Sequence, residues 1–304
     1  MVIQADSNRL IELVGTEPQI EKVASGFRFT EGPIWNPVNQ CLYFSDIPSD
    51  ERWCWNEVEG KSIVRSASGI PANKCNGMTY DGALNLYVCE HSTSQLVRES
   101  ISGERDILAS HWEGKELNSP NDVVVSRDGS VYFTDPTYGR MKVFGEERKT
   151  ELNFRGVFRV SSSGILSCVA DDFVQPNGLC FSPNESFLYV NDTAKAHIRM
   201  FDVSDTGELS NSRFFAEEIG DSNLSGGVVD GMKCDVEGNI YVTGPGGFWV
   251  FAPDGERLGV IEMPEHSANL NWGGVNWNDL YCCCTTSVYR VRMRISGNKL
   301  SYMR

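Results

Sequence analysis

Along most of the chain, apolar and polar residues alternate in short runs broken by Gly, Asn, Asp or Pro, a pattern of strands joined by tight turns. Six segments share one version of it: an oxygen-bearing residue, an apolar alternating run, a turn, and a second strand rich in Tyr, Phe and Val. They start at Glu31 (EGPIWNPVNQCLYFSD), Asn76 (NGMTYDGALNLYVCE), Asn121 (NDVVVSRDGSVYFTD), Asn177 (NGLCFSPNESFLYVND), Asp230 (DGMKCDVEGNIYVTG) and about Asn271 (NWGGVNWNDLYCCC). The intervals between starts are 45, 45, 56, 53 and about 41 residues. Asp128-Gly129 and Gly238-Asn239 mark hairpin turns inside the copies. Further strands follow, such as Gly156 to Val160 and Phe248 to Ala252, with a polar turn at Asp254-Gly255. Convincing amphipathic helices are absent.

Four strands per repeat of this length is the signature of a propeller blade. The pattern therefore predicts an all-β fold, one six-bladed β-propeller domain over residues 1–304. Propellers commonly close by letting both chain ends share a blade. Here Ile20 to Ala24 is expected beside the strands around Val288 to Ile295.

Composition supports a packed core, with 40% hydrophobic and 11% aromatic residues. No run approaches the roughly 20 apolar residues that span a bilayer, and Met1 to Gly15 lacks the basic start and apolar stretch of a signal peptide. A cytoplasmic protein without a membrane partner is expected. The formal net charge of -14 excludes the basic surface that nucleic acid needs. Ten cysteines form no CxxC pair of the zinc type. Cys282, Cys283 and Cys284 are consecutive in a strand, so their side chains alternate between faces and do not close on one ion. Small buried core residues in a reducing compartment are expected.

In a propeller the innermost strand of each blade lines the central channel, so equivalent positions point at one axis. Glu31, Asn76, Asn121, Asn177, Asp230 and approximately Asn271 hold those positions, and all carry side-chain oxygen. Asx residues before Gly commonly build turns, which explains one copy but not five or six. Carboxylates and carboxamides without Cys or clustered His suit a hard cation such as calcium. Other chemistries have less support: there is no GxSxG elbow, and His91, His111, His197 and His266 have no evident serine partner. Gly244-Pro245-Gly246-Gly247 reads as a strand connection, not a phosphate loop.

The ordered motifs Glu31-Gly32-Pro33-Ile34-Trp35, Cys89-Glu90-His91, Pro120-Asn121-Asp122, Thr134-Asp135-Pro136-Thr137-Tyr138-Gly139, Pro176-Asn177-Gly178 and Asp230-Gly231-Met232 resemble the gluconolactonase and senescence marker protein 30 (regucalcin) family, in its bacterial gluconolactonase branch. The resemblance runs from about Gly26 to Arg292. It implies a six-bladed propeller that opens sugar lactones on one divalent ion, calcium first, with zinc, magnesium, manganese or iron also compatible. The ligands it implies are Glu31, Asn177 and Asp230; lactone hydrolysis also needs a base for the attacking water, and Asp230 is expected to take that second role. The resemblance places Asn121 against the substrate or in the metal shell, and makes His91 and Tyr138 further pocket candidates. His91 reads equally as a buried histidine bonded to backbone, Tyr138 as a loop residue, and Asp135 as the brace of a turn. The segment Ala268 to Gly274 carries Trp272 where smaller residues are common, and is expected to border the pocket and alter the substrate. A metal-dependent esterase or organophosphate hydrolase, and a non-catalytic calcium-binding propeller, fit the same ligands.

Overall fold

The computed structural model describes residues 3–64, 72–220 and 223–303. Six antiparallel sheets of at least four strands follow one another along the chain, each a meander that begins at its innermost strand. Those inner strands are Thr30–Asn36, Cys75–Tyr80, Val123–Val125, Pro176–Phe181, Met232–Cys234 and Ser267–Gly273. The expected six-bladed propeller is the fold. Its ring closes as the turn pattern predicts: Ile20–Ser25 is the outer strand of blade 6, with Ile20 opposite Val291 and Ser25 opposite Ser287.

The N-terminus adds features that alternation did not show. Ile3–Ala5 pairs with Arg257–Glu262 as a fifth strand on blade 5. A helix follows at Asn8–Val14, capped by the Ser7 hydroxyl, which accepts from Arg9 N, and it buries Leu10, Leu13 and Val14. Three apolar positions over two turns are too few to register as a periodic pattern. Among the described residues no helix is long and apolar enough to cross a membrane.

Each blade packs on both neighbours, so the second strands are buried on both faces and read as continuous apolar runs. Leu86–Glu90 and Asp279–Cys284 are buried throughout. Cys282, Cys283 and Cys284 are solvent-inaccessible and unbridged, as are the other seven cysteines unbridged. Eight of the ten are buried in the core role expected of them, while Cys54 and Cys168 are half-buried.

The inner ends of the blades are tied by a repeated device. A polar side chain on one blade's second strand donates to the main-chain carbonyl of the next blade's channel residue. Ser45 donates to Asn76 O at 2.9 Å, Thr134 to Asn177 O at 2.8 Å, Asn191 to Asp230 O at 2.6 Å and Thr243 to Ala268 O at 3.2 Å. The glycine after the channel residue makes the parallel main-chain bond: Gly77 N to Asn121 O, Gly178 N to Asp230 O and Gly231 N to Ala268 O. These Asx-Gly pairs are therefore contacts between blades rather than turns. A side chain at Gly178 or Gly231 would collide with the neighbouring inner strand.

The same device corrects one assignment. The sixth channel position is Ala268, not Asn271, because Ala268 O receives both bonds. Asn271 lies deeper and donates to Pro33 O at 2.8 Å. Trp272 does not border the pocket either. It is 2% exposed, meets Tyr241 edge-on and donates from its indole to Cys234 O at 2.9 Å. Strand alternation turns it into the blade 5–6 interface.

Candidate active site

The channel residues meet beneath a cavity of about 380 Å³ at one end of the ring. Its polar floor is Glu31, Asn76, Asn121, Asn177 and Asp230, with His91 in the side wall. All the predicted site residues are thus brought together, and Tyr138 joins the wall from a short 3-10 turn at Tyr138–Arg140. At the other end of the ring, Asn298, Leu300 and Tyr302 of the C-terminal segment line a much smaller space.

Buried carboxylates shape the approach to the floor. Asp135 ends the second strand of blade 3 and accepts from Asn118 N at 2.8 Å and Ser119 N at 2.7 Å. It holds the segment that delivers Asn121, which is how it braces the turn. Asp46 accepts likewise from Phe29 N at 3.0 Å, and Asp192 from Val174 N at 2.7 Å. The aspartate ending FSD, FTD and VND in the repeats was the signal for this role. Burial pushes the Asp135 carboxyl up to about 7 despite its two backbone donors.

A hydrogen-bonded chain crosses the floor. Asn76 Nδ2 donates to Asn121 Oδ1 at 2.7 Å, Asn121 Nδ2 to Asn177 Oδ1 at 2.5 Å, and Asn177 Nδ2 to Thr193 Oγ1 at 3.0 Å. Thr193 passes its own proton to Val229 O at 2.6 Å. Thr193 carried no motif in the sequence; it enters through the loop after Asp192.

His91 satisfies both of its readings at once. Its Nδ1 lies 3.0 Å from Phe144 O, and a carbonyl only accepts, so Nδ1 carries the proton. With the ring neutral, Nε2 is then a lone pair that accepts the second Asn76 N–H at 3.1 Å; it also lies 3.1 Å from Asn121 Oδ1, which takes its proton from Asn76. Burial lowers the imidazole pKa to about 4, so the ring is neutral near pH 7. Asn76 spends both its donors here, and its Oδ1 remains buried without a partner.

The floor carries concentrated negative charge. Glu31 accepts from Asn269 Nδ2 at 2.9 Å, yet burial, and then the charge of Asp122, push its carboxyl up to about 7. Asp230 keeps part of its surface on the cavity but lies deep in the ring. Burial, followed by Glu31 and Asp122, raises its pKa well above the usual aspartate value. Lys233 stands beside this group, its Nζ 3.6 Å from Asp122. Two carboxylates that disfavour each other's ionisation, a carboxamide bonded to one of them, and an orphaned amide oxygen are what a divalent cation relieves. Among the described residues no three His, Cys, Asp or Glu side chains converge as a ligand set. The donors here reach three only by counting the Asn177 amide, and that all-oxygen set fits a hard ion.

Above the floor the cavity changes character. Its rim is Phe29, Ile47, Phe144, Val228 and His266. Phe29, Val228 and His266 each stand two residues before a channel residue, at Glu31, Asp230 and Ala268, so the rim repeats in position though not in residue type. Phe144 and Tyr138 ride on the connection between Asp135 and Arg155, within the 56-residue interval that exceeded its neighbours. That excess length was the available sign that the connection builds something beyond a blade.

Comparison with known proteins agrees with this geometry. Residues 29–286 match the family model described as SMP-30/Gluconolactonase/LRE-like region. The gluconolactonase of Zymomonas mobilis is 34% identical over 96% of this chain and 86% of its own length. A gluconolactonase structure from Xanthomonas campestris superposes with a TM-score of 0.86 at 28% identity, covering 96% of this chain and 95% of that one. Regucalcin from Agrobacterium tumefaciens, a calcium-binding protein, shares the fold with a TM-score of 0.72 at 17% identity, over 92% and 98% of the two chains. With the blade register, the floor residues and these matches in agreement, the chain belongs to the SMP-30/gluconolactonase/LRE-like family.

Proposed function

We propose that the protein is a lactonase that opens its substrate with water at the channel floor, on a divalent ion held by Glu31, Asn177 and Asp230. The observation that carries this is the convergence of those three oxygen donors at the base of a cavity large enough for a small ring, in a chain related to gluconolactonases. Calcium suits the donor set best; magnesium, manganese, zinc and iron are the alternatives. When bound, such an ion polarises the lactone carbonyl and acidifies water.

The chain's own groups do the rest. Asp230 takes the proton of the attacking water on its carboxylate. Positioned general-base action of this kind contributes about 10²–10⁴-fold. Asn121 fixes the Asn177 amide through its Nδ2, so the donor set is oriented before substrate arrives. His91, neutral and locked by Phe144 O, forms the side wall with Tyr138, whose hydroxyl reaches Thr193. The substrate ring lies between these walls and the floor.

A pH-indicator assay of acid release tests this, with lactones, aryl esters and phosphotriesters compared on the same protein before and after chelation. Lactone turnover that is lost on chelation and restored by one ion supports the proposal. A preference for phosphotriesters or aryl esters, or no turnover at all, overturns it.

A further inference from the structure

The lactone cavity is built as two chemically different halves, and the upper half offers a polyhydroxylated ring little to bind. Phe29 and Phe144 meet edge-to-face at 5.2 Å, and His266 packs edge-on against Phe29 at 6.1 Å. Ile47 and Val228 complete this wall, and among the described residues none that lines the cavity is Lys or Arg. Burial lowers the pKa of His266, which leaves its imidazole neutral, and its Nε2 is buried without a hydrogen-bond partner. Most floor amides already bond to one another, from Asn76 through Asn121 and Asn177 to Thr193. A sugar lactone with a hydroxyl on each ring carbon would bury several of them against aromatic rings without partners, which is costly.

The apolar wall is also held in place. His91 Nδ1 donates to Phe144 O at 3.0 Å. Lys74 Nζ donates to Lys142 O at 3.1 Å and reaches Gly145 O at 3.4 Å, on either side of Phe144. Gly145 packs so closely on Gly139 that no side chain fits there. The chain's own bonds therefore hold the loop with Phe144 facing the cavity, and a wall fixed by the protein itself limits the ordering cost of binding.

From this division we infer that the preferred substrate is a lactone with an apolar substituent: the ring carbonyl on the floor, and an alkyl or aryl group against Phe29, Phe144, Ile47 and Val228. The inference rests on the lactonase reading and narrows it. The chemistry is unchanged by the substituent. Water's oxygen bonds to the carbonyl carbon, the ring C–O bond breaks, and the departing oxygen takes a proton, giving a hydroxy acid that carries the chain.

The test is kcat/KM across γ-butyrolactone, γ-hexalactone, γ-octalactone and γ-nonalactone, with glucono-δ-lactone and xylonolactone alongside. The expected result is a rise of about two- to fourfold per added methylene until the cavity fills, the upper figure being that for full burial. γ-Octalactone should then exceed both sugar lactones. Phe144→Ser should lower the ratio of octalactone to butyrolactone kcat/KM by at least about fivefold, mainly through KM, and Phe144→Leu should restore most of it. Both variants keep the backbone carbonyl that His91 uses, and circular dichroism reports whether they fold. Sugar lactones turned over faster than every alkyl lactone, or a flat series unaffected by Phe144→Ser, would overturn the inference and leave the lactonase reading standing. No turnover of either lactone class would overturn both.

Discussion

Replacing Gly178 by alanine would place a methyl carbon 2.3 Å from the Asp230 carbonyl oxygen and 2.8 Å from Met232 N. Both contacts are main-chain atoms of the blade 5 inner strand, so neither can swing aside. Gly178 does not adopt a left-handed conformation, and alanine meets no torsional penalty there. The cost is steric, joined by weakening of the Gly178 N to Asp230 O bond at 3.0 Å. Overpacking usually costs about 1–3 kcal/mol and a hydrogen bond about 1 kcal/mol, so a loss near 3 kcal/mol is expected. For a chain of 304 residues the unfolding entropy is about 0.6 kcal/mol/K, which converts that loss to a Tm decrease of about 5 °C.

A second consequence is specific to the site. The displaced carbonyl belongs to Asp230, so the proposed base and ligand moves with it. A misplacement of about 1 Å commonly costs about 10²-fold in rate. Gly164→Ala is the matched control: its φ is +85° and nothing lies within 4 Å of the added carbon. It should cost only the torsional penalty of about 1 kcal/mol, or about 2 °C, with normal kcat/KM. Scanning calorimetry and lactone kinetics on both variants decide the matter. A Gly178→Ala protein as stable and active as Gly164→Ala would refute the claim that blade contact at the glycine positions the site.

Three further outcomes follow from the same geometry. Thr134→Val removes the donor to Asn177 O, and should lower Tm by about 2 °C and weaken cation binding measured by calorimetric titration; unchanged affinity would contradict the positioning role. Asp135 has a folded-state pKa of about 7 against an ordinary value near 4, so the folded protein holds its proton more tightly. Its contribution is therefore fully present below pH ~4 and is lost as pH rises through ~7. Urea unfolding should show a stability decline across that window that shrinks in Asp135→Asn, and an identical pH slope in both proteins would count against it. His91 should remain neutral with the proton on Nδ1 from pH 8 down to about 5, as nitrogen chemical shifts would report; an imidazolium at pH 6 would be inconsistent with its burial.

Repetition made the ring legible from sequence, because each blade writes the same channel residue, glycine and second strand. The velcro strand Ile20–Ser25 was readable as the segment left over once six copies were counted. Blade 6 was misplaced at Asn271 because Asn-x-Gly there imitates the other copies. A stricter rule would have caught it: the second strand begins ten residues after the channel residue in blades 1 to 5 and eleven after Ala268 in blade 6. Glu31, Asn121, Asn177 and Asp230 were visible because the axis forces equivalent positions together. Phe29, Val228 and His266 were not, since they share a register two residues before the channel residue but no residue type, and Phe144 belongs to a connection outside the repeat. Trp272 misled for a related reason: an unusual large residue near a site is as easily an interface residue when strand alternation turns it away.

The central claim is that one divalent ion on Glu31, Asn177 and Asp230 makes the protein a lactonase. Metal-depleted protein titrated with calcium, with bound ion and lactone turnover measured on the same samples, tests it directly. The account predicts one ion per chain, turnover rising in proportion to occupancy, and loss of both in Glu31→Gln and Asp230→Asn. Full turnover in the depleted protein, or undiminished binding in those two variants, would contradict it.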